Sequence, residues 1–437
     1  MVIEPNPQQI HFRKKDSNLK IKSKDKIRPV ALMERNILSL PRTNLEYKRL
    51  MKKQTNDKNH ENTILICGDT MVGNPDSFAK KIDDYIDSSI TDFLSTSNFR
   101  VINLEGPICS KDLKPLLKYG INIHMTKEDF EAIYSKIKPS LVNLANNHIM
   151  DYGITGLANT IDTLNEMNIP YIGVGKSTLD MADSFNVVLK NKRICFYSCA
   201  ENEFANATQF QPGANPYDPL ESFDRVKDLK KGSDFLIVLY HGGKEYYRYP
   251  TPNLQKICRK FIDSGANLVL CQHSHTIGCE EQYNRGTIVY GTGNFIFPMG
   301  NNEYWREGSL ISVDVEKEFR IKQSFVIQEK SKYSMANCQE SRNILEAQQN
   351  RSQEIKVEGF VHTKFEKYSS SLLNSYLLNI YKPFGLRVIN KVRGNVVDLH
   401  STNKLLVLYN YLNCEAHSEI IKSALIKMFT EKNDIDK

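Results

Sequence analysis

The sequence has no apolar run that approaches the ~20 residues needed to span a bilayer. Residues 1–7 also lack the basic segment followed by an apolar one that marks a secretory signal. We therefore expect a cytoplasmic protein. The nine cysteines contain no Cys-x-x-Cys pair and are odd in number, which argues against a disulfide framework. Several lie inside apolar runs, as Cys67 and Cys195 do, so we expect buried, reduced thiols.

Charge is spread unevenly along the 437 residues, which carry a net charge of +7. Residues 1–61 hold 15 Lys and Arg against 7 Asp and Glu, and the rest of the chain is close to neutral. We interpret this segment as a basic, partly disordered N-terminal extension. It offers almost no aromatic side chains for base stacking, so charge alone does not support nucleic-acid binding. Contact with an anionic membrane surface is the alternative for this arm.

Between residues 62 and 330, short apolar or β-branched runs alternate with segments of helical periodicity. The runs predict strands at 63–67, 100–104, 140–145, 186–189, 193–198, 235–240, 267–271, 287–290 and 310–315. The periodicity predicts helices at 77–94, 127–137, 156–167, 219–231 and 252–265. This alternation predicts a layered α/β domain with mixed sheets, because 286–290 and 309–325 look antiparallel. Residues 331–437 predict a small helical C-terminal region, with amphipathic segments at 371–380 and 405–427.

Carboxylates follow two of the predicted strands. Asp69 comes directly after 63–67 and a glycine, and Glu105 follows 100–104. The carboxyl ends of strands are where α/β folds collect ligands, and a carboxylate offers two oxygens that can bridge two cations. Taken singly, each residue is more often a turn or helix-cap residue.

The segment 144–153 places Asn146, Asn147 and His148 after a third strand. One amide oxygen could bind a metal while the imidazole faces a substrate, and Asp151 could orient His148. The alternative is a pair of helix caps beside a histidine at a helix start.

Three further histidines end apolar strands: His241, which precedes two glycines, and the pair His273 and His275. One such histidine is usually a core residue, but three in one domain predict a metal centre.

These motifs occur in a recognisable order along the chain: GDTMVG (68–73), NLEGP (103–107), NNHIMDYG (146–153), HGGKEY (241–246), His-x-His (273–275) and GTGNFIF (291–297). The set resembles the calcineurin-like metallophosphatases and, more closely, their capsule-synthesis branch (CapA, poly-γ-glutamate capsule biosynthesis). The resemblance covers about residues 62–328. It implies a four-layer αββα sandwich, with two mixed sheets flanked by helices and a metal centre at the strand ends.

The resemblance also implies roles for the candidate residues. One ion would be held by Glu105, Asn147, His241 and His273, and a second by Asp69, Glu105 and His275. His148, with Asp151, would be the acid or charge-stabilising group. One or two divalent ions are expected, with Mn, Zn and Fe equally compatible.

Three departures from the family pattern bear on the second ion and on substrate choice. Met71 stands where general metallophosphatases have a histidine, Gly242 where the branch has an aromatic residue, and Cys271-Gln272 where it has Gly-His.

A divalent ion at such a centre would supply activated water at neutral pH. We therefore expect an enzyme that hydrolyses a phosphoester or an amide such as a γ-glutamyl bond, in poly-γ-glutamate or related polymer metabolism. Glu245 is a candidate for recognising an amine or a polyglutamate backbone, unless it pairs with Lys244 or Arg248. Asn146 and Asn294 are further substrate-binding candidates. The alternative function is a non-catalytic assembly or docking protein in capsule polymer synthesis or export, with capsule-synthesis proteins as partners.

Overall fold

The computed structural model describes residues 63–72, 78–118, 120–298, 303–329 and 332–380, together with the isolated positions 408, 412 and 425. The extension predicted for 1–61 lies outside these residues, as does the segment predicted for 405–427 apart from the isolated positions. Across the described ranges, no helix is both long enough and apolar enough to cross a membrane.

The strands of the described residues are, in chain order, β1 (Thr63–Thr70), β2 (Phe99–Leu104), β3 (Leu141–Asn143), β4 (Tyr171–Ile172), β5 (Val174–Ser177), β6 (Asp180–Ala182), β7 (Ser184–Leu189), β8 (Lys192–Ala200), β9 (Gly213–Ala214), β10 (Phe235–His241), β11 (Leu268–Gln272), β12 (Glu280–Tyr283), β13 (Gly286–Val289), β14 (Asn294–Ile296), β15 (Glu307–Asp314), β16 (Arg320–Glu329) and β17 (Lys332–Met335).

The helices alternate with these strands in the first part of the domain and follow them at its end: α1 (Ile82–Tyr85), α2 (Ser88–Ser95), α3 (Lys127–Ile137), α4 (Gly153–Glu166), α5 (Ser222–Lys231), α6 (Pro252–Asp263), α7 (Cys338–Glu354) and α8 (Phe360–Ile380). Short 3-10 turns cover Ala79–Lys81 and Glu303–Arg306.

Two large sheets form the centre of the domain. The first has eight strands in the order β17-β16-β15-β1-β2-β3-β4, with β14 also paired to β1, and the second has the order β12-β13-β11-β10-β8-β7. In each sheet a central set of strands is parallel, and strands antiparallel to their neighbours lie towards the edges. A small third sheet has the order β6-β5-β9. The prediction of mixed sheets is therefore confirmed.

The layering follows from the period-two alternation of side chains along the strands. On β1, Ile64 and Ile66 pack between the sheets against residues such as Phe196, whereas Leu65 and Cys67 face the helices. Helices α2 to α4 cover the outer face of the first sheet, and α5 and α6 cover that of the second. The predicted αββα sandwich is confirmed by these three apolar layers.

The predicted helix 77–94 is wrong. The chain turns at Ala79–Lys81, forms the single turn of α1, and becomes extended at Ile86 (φ −112°, ψ 111°). Asp87 then caps a new helix, accepting a hydrogen bond from the Ser89 amide (2.9 Å). Side-chain capping of this kind competes with a continuous helix, and apolar periodicity alone does not reveal it.

The C-terminal helices pack on the sandwich. The first sheet continues beyond residue 330 into β17, and α7 begins at a capping box formed by Asn337 and Glu340. Ile355 and Val361 join the apolar layer outside the second sheet. Of the described cysteines, Cys338 is exposed and the others are buried and unpaired, as expected for reduced thiols.

The layer between the sheets predicts a specific stability effect. Phe196 is fully buried there and its ring stacks on Phe99 with centroids 5.7 Å apart. Phe196→Ala should lower the free energy of unfolding by about 3–5 kcal/mol, because it leaves a cavity between two sheets that cannot collapse. Chemical denaturation measures this. Val188→Ala, at a position on β7 that is 56% exposed, is the control and should cost far less; equal losses would contradict the assigned layering.

Candidate metal centre

In both sheets, polar side chains lie in register with one another at the carboxyl ends of the central strands; we call each such row a level of its sheet. In the first sheet Asp69 on β1 is in register with Asn103 on β2 and with Asn294 on β14. In the second sheet His241 on β10 is in register with Gln272 on β11. Since the two levels face each other across the sandwich, residues far apart in sequence meet there.

Six predicted ligands converge at this level, in two overlapping groups. Glu105, His241 and His273 each offer an atom within 4.8 Å of the others, and so do Asp69, Glu105 and His275. Asn147 joins the first group, since its Oδ1 lies 3.0 Å from Nε2 of His241. The composition of both groups matches the two ligand sets implied by the family resemblance.

The distances suit ligands around a shared cation. Oε1 of Glu105 lies 3.8 Å from Nε2 of His241 and 3.6 Å from Nε2 of His275. Oδ2 of Asp69 lies 3.5 Å from Nδ1 of His275, the ring nitrogen that also faces Asn294. The two Glu105 separations exceed ordinary hydrogen bonds, and they are what two atoms bonded at roughly 2.0–2.3 Å to one ion would show.

Glu105 provides the test of whether a cation fits. Its carboxyl is fully buried, and neither oxygen has a hydrogen-bond partner among the described residues. Nδ1 of His273 is also buried without a hydrogen-bond partner among the described residues. A buried carboxylate without a partner is strongly unfavourable, and a divalent cation supplies what it lacks. The cluster therefore fits a divalent metal site.

The electrostatics of the metal-free cluster follow from burial. Burial, and then the charge of Asp69, raise the pKa of Glu105 well above its ordinary value. Burial raises the pKa of Asp69 to about 6 despite hydrogen bonds from Asn103 and the His273 amide. Burial lowers the pKa of His275 to about 4 and the pKa values of His241 and His273 well below 6.5. The imidazoles are thus neutral near pH 7, the form that binds metals.

A buried amide network, which the sequence analysis missed, supports the cluster. Asn103 donates from Nδ2 to Oδ1 of Asp69 (2.8 Å), and its own Oδ1 accepts from Asn143 (3.1 Å). Asn143 also donates to Gln272 (3.3 Å) and accepts from the Ser198 hydroxyl (2.5 Å). Asn103 begins the NLEGP motif and Gln272 precedes the His-x-His motif, but nothing local in the sequence linked them to one another.

The backbone is strained where the ligands leave β11. His273 and His275 adopt left-handed φ angles of 90° and 53°, which cost free energy for residues other than glycine and persist only where the surroundings enforce them. The His273 amide donates to Oδ2 of Asp69 (3.1 Å). The His275 ring stacks on Trp305 with centroids 4.6 Å apart.

Gly68 is required by a close approach on β1. A Cβ atom there would lie 2.1 Å from the Gly293 carbonyl oxygen, so no larger residue fits beside the GTGNFIF segment.

His148 and Asp151 form the predicted pair. Nδ1 of His148 lies 2.7 Å from Oδ2 of Asp151, which also accepts from the Ile123 amide (2.8 Å). Lys118, which sequence reasoning did not single out, lies 2.5 Å from the other oxygen of Asp151. No local pattern marked Lys118, because it lies in a separate loop, far before Asp151 in the chain.

Two predicted substrate-binding amides are used within the protein. Asn146 donates to the Leu104 carbonyl (2.7 Å) and accepts from the His148 amide (3.1 Å). This amide therefore shapes its own loop, and contact of Asn146 with a substrate stays a prediction. Oδ1 of Asn294 lies 2.9 Å from Nδ1 of His275. Asn294 therefore orients that ring and leaves Nε2 facing Glu105.

Acidic side chains lie beside the first group. Glu245 is half-buried, its charge is felt at Glu105, and within the described residues it forms no salt bridge with Lys244 or Arg248. Glu201, which follows β8, was missed, although a carboxylate after an apolar strand is the same signal that marked Glu105. Its Oε1 lies 3.7 Å from Nε2 of His273, and burial raises its pKa to about 7. Glu201, Glu203 and His273 form a third group with metal-ligand spacing.

The fold and this cluster define an α/β sandwich protein with a centre fitted to a divalent metal. Residues 63–299, more than half of the chain, match the family described as "Bacterial capsule synthesis protein PGA_cap". The chain belongs to this family of bacterial capsule synthesis proteins, as the motifs predicted.

Named relatives support the assignment. "Capsule biosynthesis protein CapA" of Bacillus anthracis is 30% identical over 255 residues, covering 56% of this chain and 61% of that protein. "PGA biosynthesis protein CapA" of Bacillus subtilis (strain 168) is 26% identical over 259 residues, covering 57% and 67%. The chain thus matches about three fifths of the length of the first relative.

Among solved structures, a 5'-nucleotidase precursor from Thermus thermophilus is 14% identical, with a TM-score of 0.38 over 68% of this chain and 59% of that one. The fold assignment comes from the strand order and the three apolar layers of this chain.

The pKa values predict how metal binding depends on pH. The pKa of Asp69 is raised to about 6 and that of Glu105 is raised well above its ordinary value, so protonation of these carboxyls competes with metal binding. Affinity for Mn²⁺ should therefore weaken as pH falls through about 6, with protons released on binding. The imidazoles do not contribute in this range because their pKa values lie lower. Titration calorimetry at pH 6 in buffers of different ionisation enthalpy measures the release; binding without release would contradict this account.

Proposed function

We propose that this chain is a metal-dependent hydrolase of the capsule-synthesis type. It acts on a phosphoester or on a γ-glutamyl or other amide bond, in poly-γ-glutamate or related polymer metabolism. The observation that carries the proposal is the convergence of six candidate ligands on a buried Glu105 whose oxygens have no hydrogen-bond partner in the described residues. Family membership supports the polymer context, since the names of the relatives refer to capsule and PGA biosynthesis.

In this proposal each ligand has a role assigned by its position. Glu105, Asn147, His241 and His273 would hold one ion; Asp69, Glu105 and His275 would hold a second. When bound, divalent ions supply polarisation of the scissile group and an acidified water. The protein excludes bulk water from the centre, since Asp69, Glu105 and His241 are almost fully buried. Low exposure strengthens every charge interaction with the reacting group.

His148 is the proton carrier in this scheme. Asp151 engages Nδ1, so Nε2 is the ring nitrogen available to a substrate. A leaving alkoxide or amine needs a proton, and a histidine held this way can donate one. Glu245 and Glu201 lie on the same side as His273 and favour a substrate with an amine or amide N–H near the bond that is cleaved.

The alternative is a non-catalytic docking protein that keeps the fold and binds capsule-synthesis partners. A docking surface does not require strained histidine backbones or an unpartnered buried carboxylate, and those features favour the enzyme. Measurement of substrate turnover distinguishes the enzyme from the docking protein.

The decisive experiment separates metal binding from catalysis. Full-length protein is loaded with Mn, Zn or Fe and screened against phosphoesters and γ-glutamyl peptides. His148→Ala should lower kcat roughly 10²- to 10⁴-fold with metal content unchanged, because it removes a proton donor but no predicted ligand. Glu105→Gln should lose metal, measured by elemental analysis, and with it the increase in melting temperature that metal gives the wild type.

His362→Ala is the matched control, because His362 is exposed on α8. It should retain both metal and turnover. If no divalent ion copurifies or raises the melting temperature, the metal centre is refuted; if metal binds but no substrate is turned over, the docking function replaces the hydrolase.

A further inference from the structure

Lys118 is buried in a loop whose neighbouring apolar side chains are exposed. Its side chain is 7% exposed and that of its partner Asp151 is 1% exposed, whereas Leu117 and Ile121 are 54% and 61% exposed. Burying an ammonium group costs free energy, and exposing leucine and isoleucine forgoes the gain from burial. In this loop the charged side chain is buried and the apolar side chains are exposed, which is the reverse of the usual pattern. We infer that a specific contact of Lys118 fixes the conformation of the loop.

That contact is shared with His148 through one carboxylate. Nζ of Lys118 lies 2.5 Å from Oδ1 of Asp151, while Oδ2 of Asp151 faces Nδ1 of His148 (2.7 Å) and the Ile123 amide (2.8 Å). Oδ1 of Asp151 is therefore paired with the ammonium of Lys118 by charge, without hydrogen-bond geometry, while Oδ2 faces the Ile123 amide and the His148 ring. Partners on both sides restrict rotation of the carboxylate, and it orients the imidazole that it contacts.

The loop is tied to the same segment at a second point. The Leu116 amide donates to the Asp151 carbonyl (2.8 Å), and Asn122 donates to the Leu116 carbonyl (3.0 Å). Lys118 thus lies between Leu116 and Asn122, which are both held by hydrogen bonds. These bonds place the Lys118 side chain beside Asp151.

The charge of Lys118 matters as well as its position. Asp151 is close enough that its charge is felt at Glu105, which already lies near Asp69. Asp151 is thus a third carboxylate close to the metal centre, after Asp69 and Glu105. The ammonium of Lys118 offsets its negative charge. An anionic substrate such as a phosphoester or a polyglutamate segment then meets less repulsion at His148.

We propose that Lys118 is a positioning residue that clamps Asp151 so that His148 is held in one orientation for proton transfer to an anionic substrate. This inference rests on the hydrolase function proposed above. Lys118 does not need to touch the substrate, since its ammonium is committed to Asp151 and lies 3.3 Å from Nδ1 of His148, the nitrogen on the Asp151 side of the ring.

Kinetics of two Lys118 variants test the clamp. Lys118→Met should lower kcat about 10- to 100-fold with KM and metal content unchanged. Lys118→Arg, which keeps the charge and can bond a carboxylate, should recover most of that loss. The control is Lys127→Met, which breaks the exposed Lys127–Glu166 ion pair on α3 and α4 and should leave kcat unchanged.

A double variant asks whether Lys118 acts through Asp151. The loss of kcat in Lys118→Met combined with Asp151→Asn should be no greater than in Asp151→Asn alone. Additive losses, or a lower metal content in Lys118→Met, would overturn the proposal. If Lys118→Met does not fold, Lys118→Gln replaces it, since its amide keeps a hydrogen-bond donor on a shorter, uncharged side chain, and the same loss of kcat is expected.

A readout without turnover keeps this inference separate from the proposed function. NMR of the histidine rings in the full-length chain, with His148 assigned from the His148→Ala spectrum, should give one sharp set of signals in the wild type and in Lys118→Arg. In Lys118→Met the signals should broaden or split. An unchanged His148 spectrum would refute the clamp, whereas a changed spectrum in a protein that hydrolyses nothing would refute the hydrolase and leave the clamp in place.

Discussion

Two fully buried carboxylates, Asp69 and Glu105, stand close together at the edge where the two sheets meet. Burial opposes the ionisation of both, the charge of Asp69 further opposes that of Glu105, and neither oxygen of Glu105 has a hydrogen-bond partner in the described residues to offset this. Three neutral imidazoles face the same space. This arrangement is stable either with protons on the carboxyls or with a cation between them, and the histidines favour the cation. The geometry of the centre, the amide network below it and the strained His-x-His backbone can all be understood as ways to hold these two carboxylates.

The sandwich is what makes such an arrangement possible. In the first sheet Asn103 donates to Asp69 and accepts from Asn143, and Gln272 and Ser198 reach the same network from the second. The amides connect the two sheets by hydrogen bonds at the level where the apolar layer ends. A shift of either sheet by one residue would turn these side chains to the opposite face. Packing of residues such as Ile64 and Phe196 therefore fixes the register of the site as well as the stability of the domain.

The chain belongs to the capsule synthesis family. The cluster fits a divalent metal, and His148 with its partners lies beside it. Lys118 extends that group to a loop that carries the exposed apolar residues Leu117 and Ile121. The C-terminal helices approach from the other side, where Tyr368 of α8 stacks on Tyr247 with ring centroids 4.3 Å apart, in the loop that also carries Glu245. The site is bordered by elements from well beyond the central strands.

The sequence by itself determined a layered α/β domain with mixed sheets, most strand positions and the candidate ligands, because the alternation of apolar runs and the residues that end them are local features. The αββα arrangement and the division of the ligands into two sets were implied by the resemblance of the ordered motifs to a known family. It did not determine the break before Asp87, where a capping side chain overrides helical periodicity. Nor did it show that Asn146 and Asn294 are engaged within the protein, since an amide at a strand end looks the same whether it faces a ligand, a backbone carbonyl or a histidine. Lys118, Glu201 and the network around Asn143 were decided only by the tertiary structure. Their roles depend on which side chains from distant segments share a buried volume, and burial and partners are set by packing rather than by neighbours in the chain.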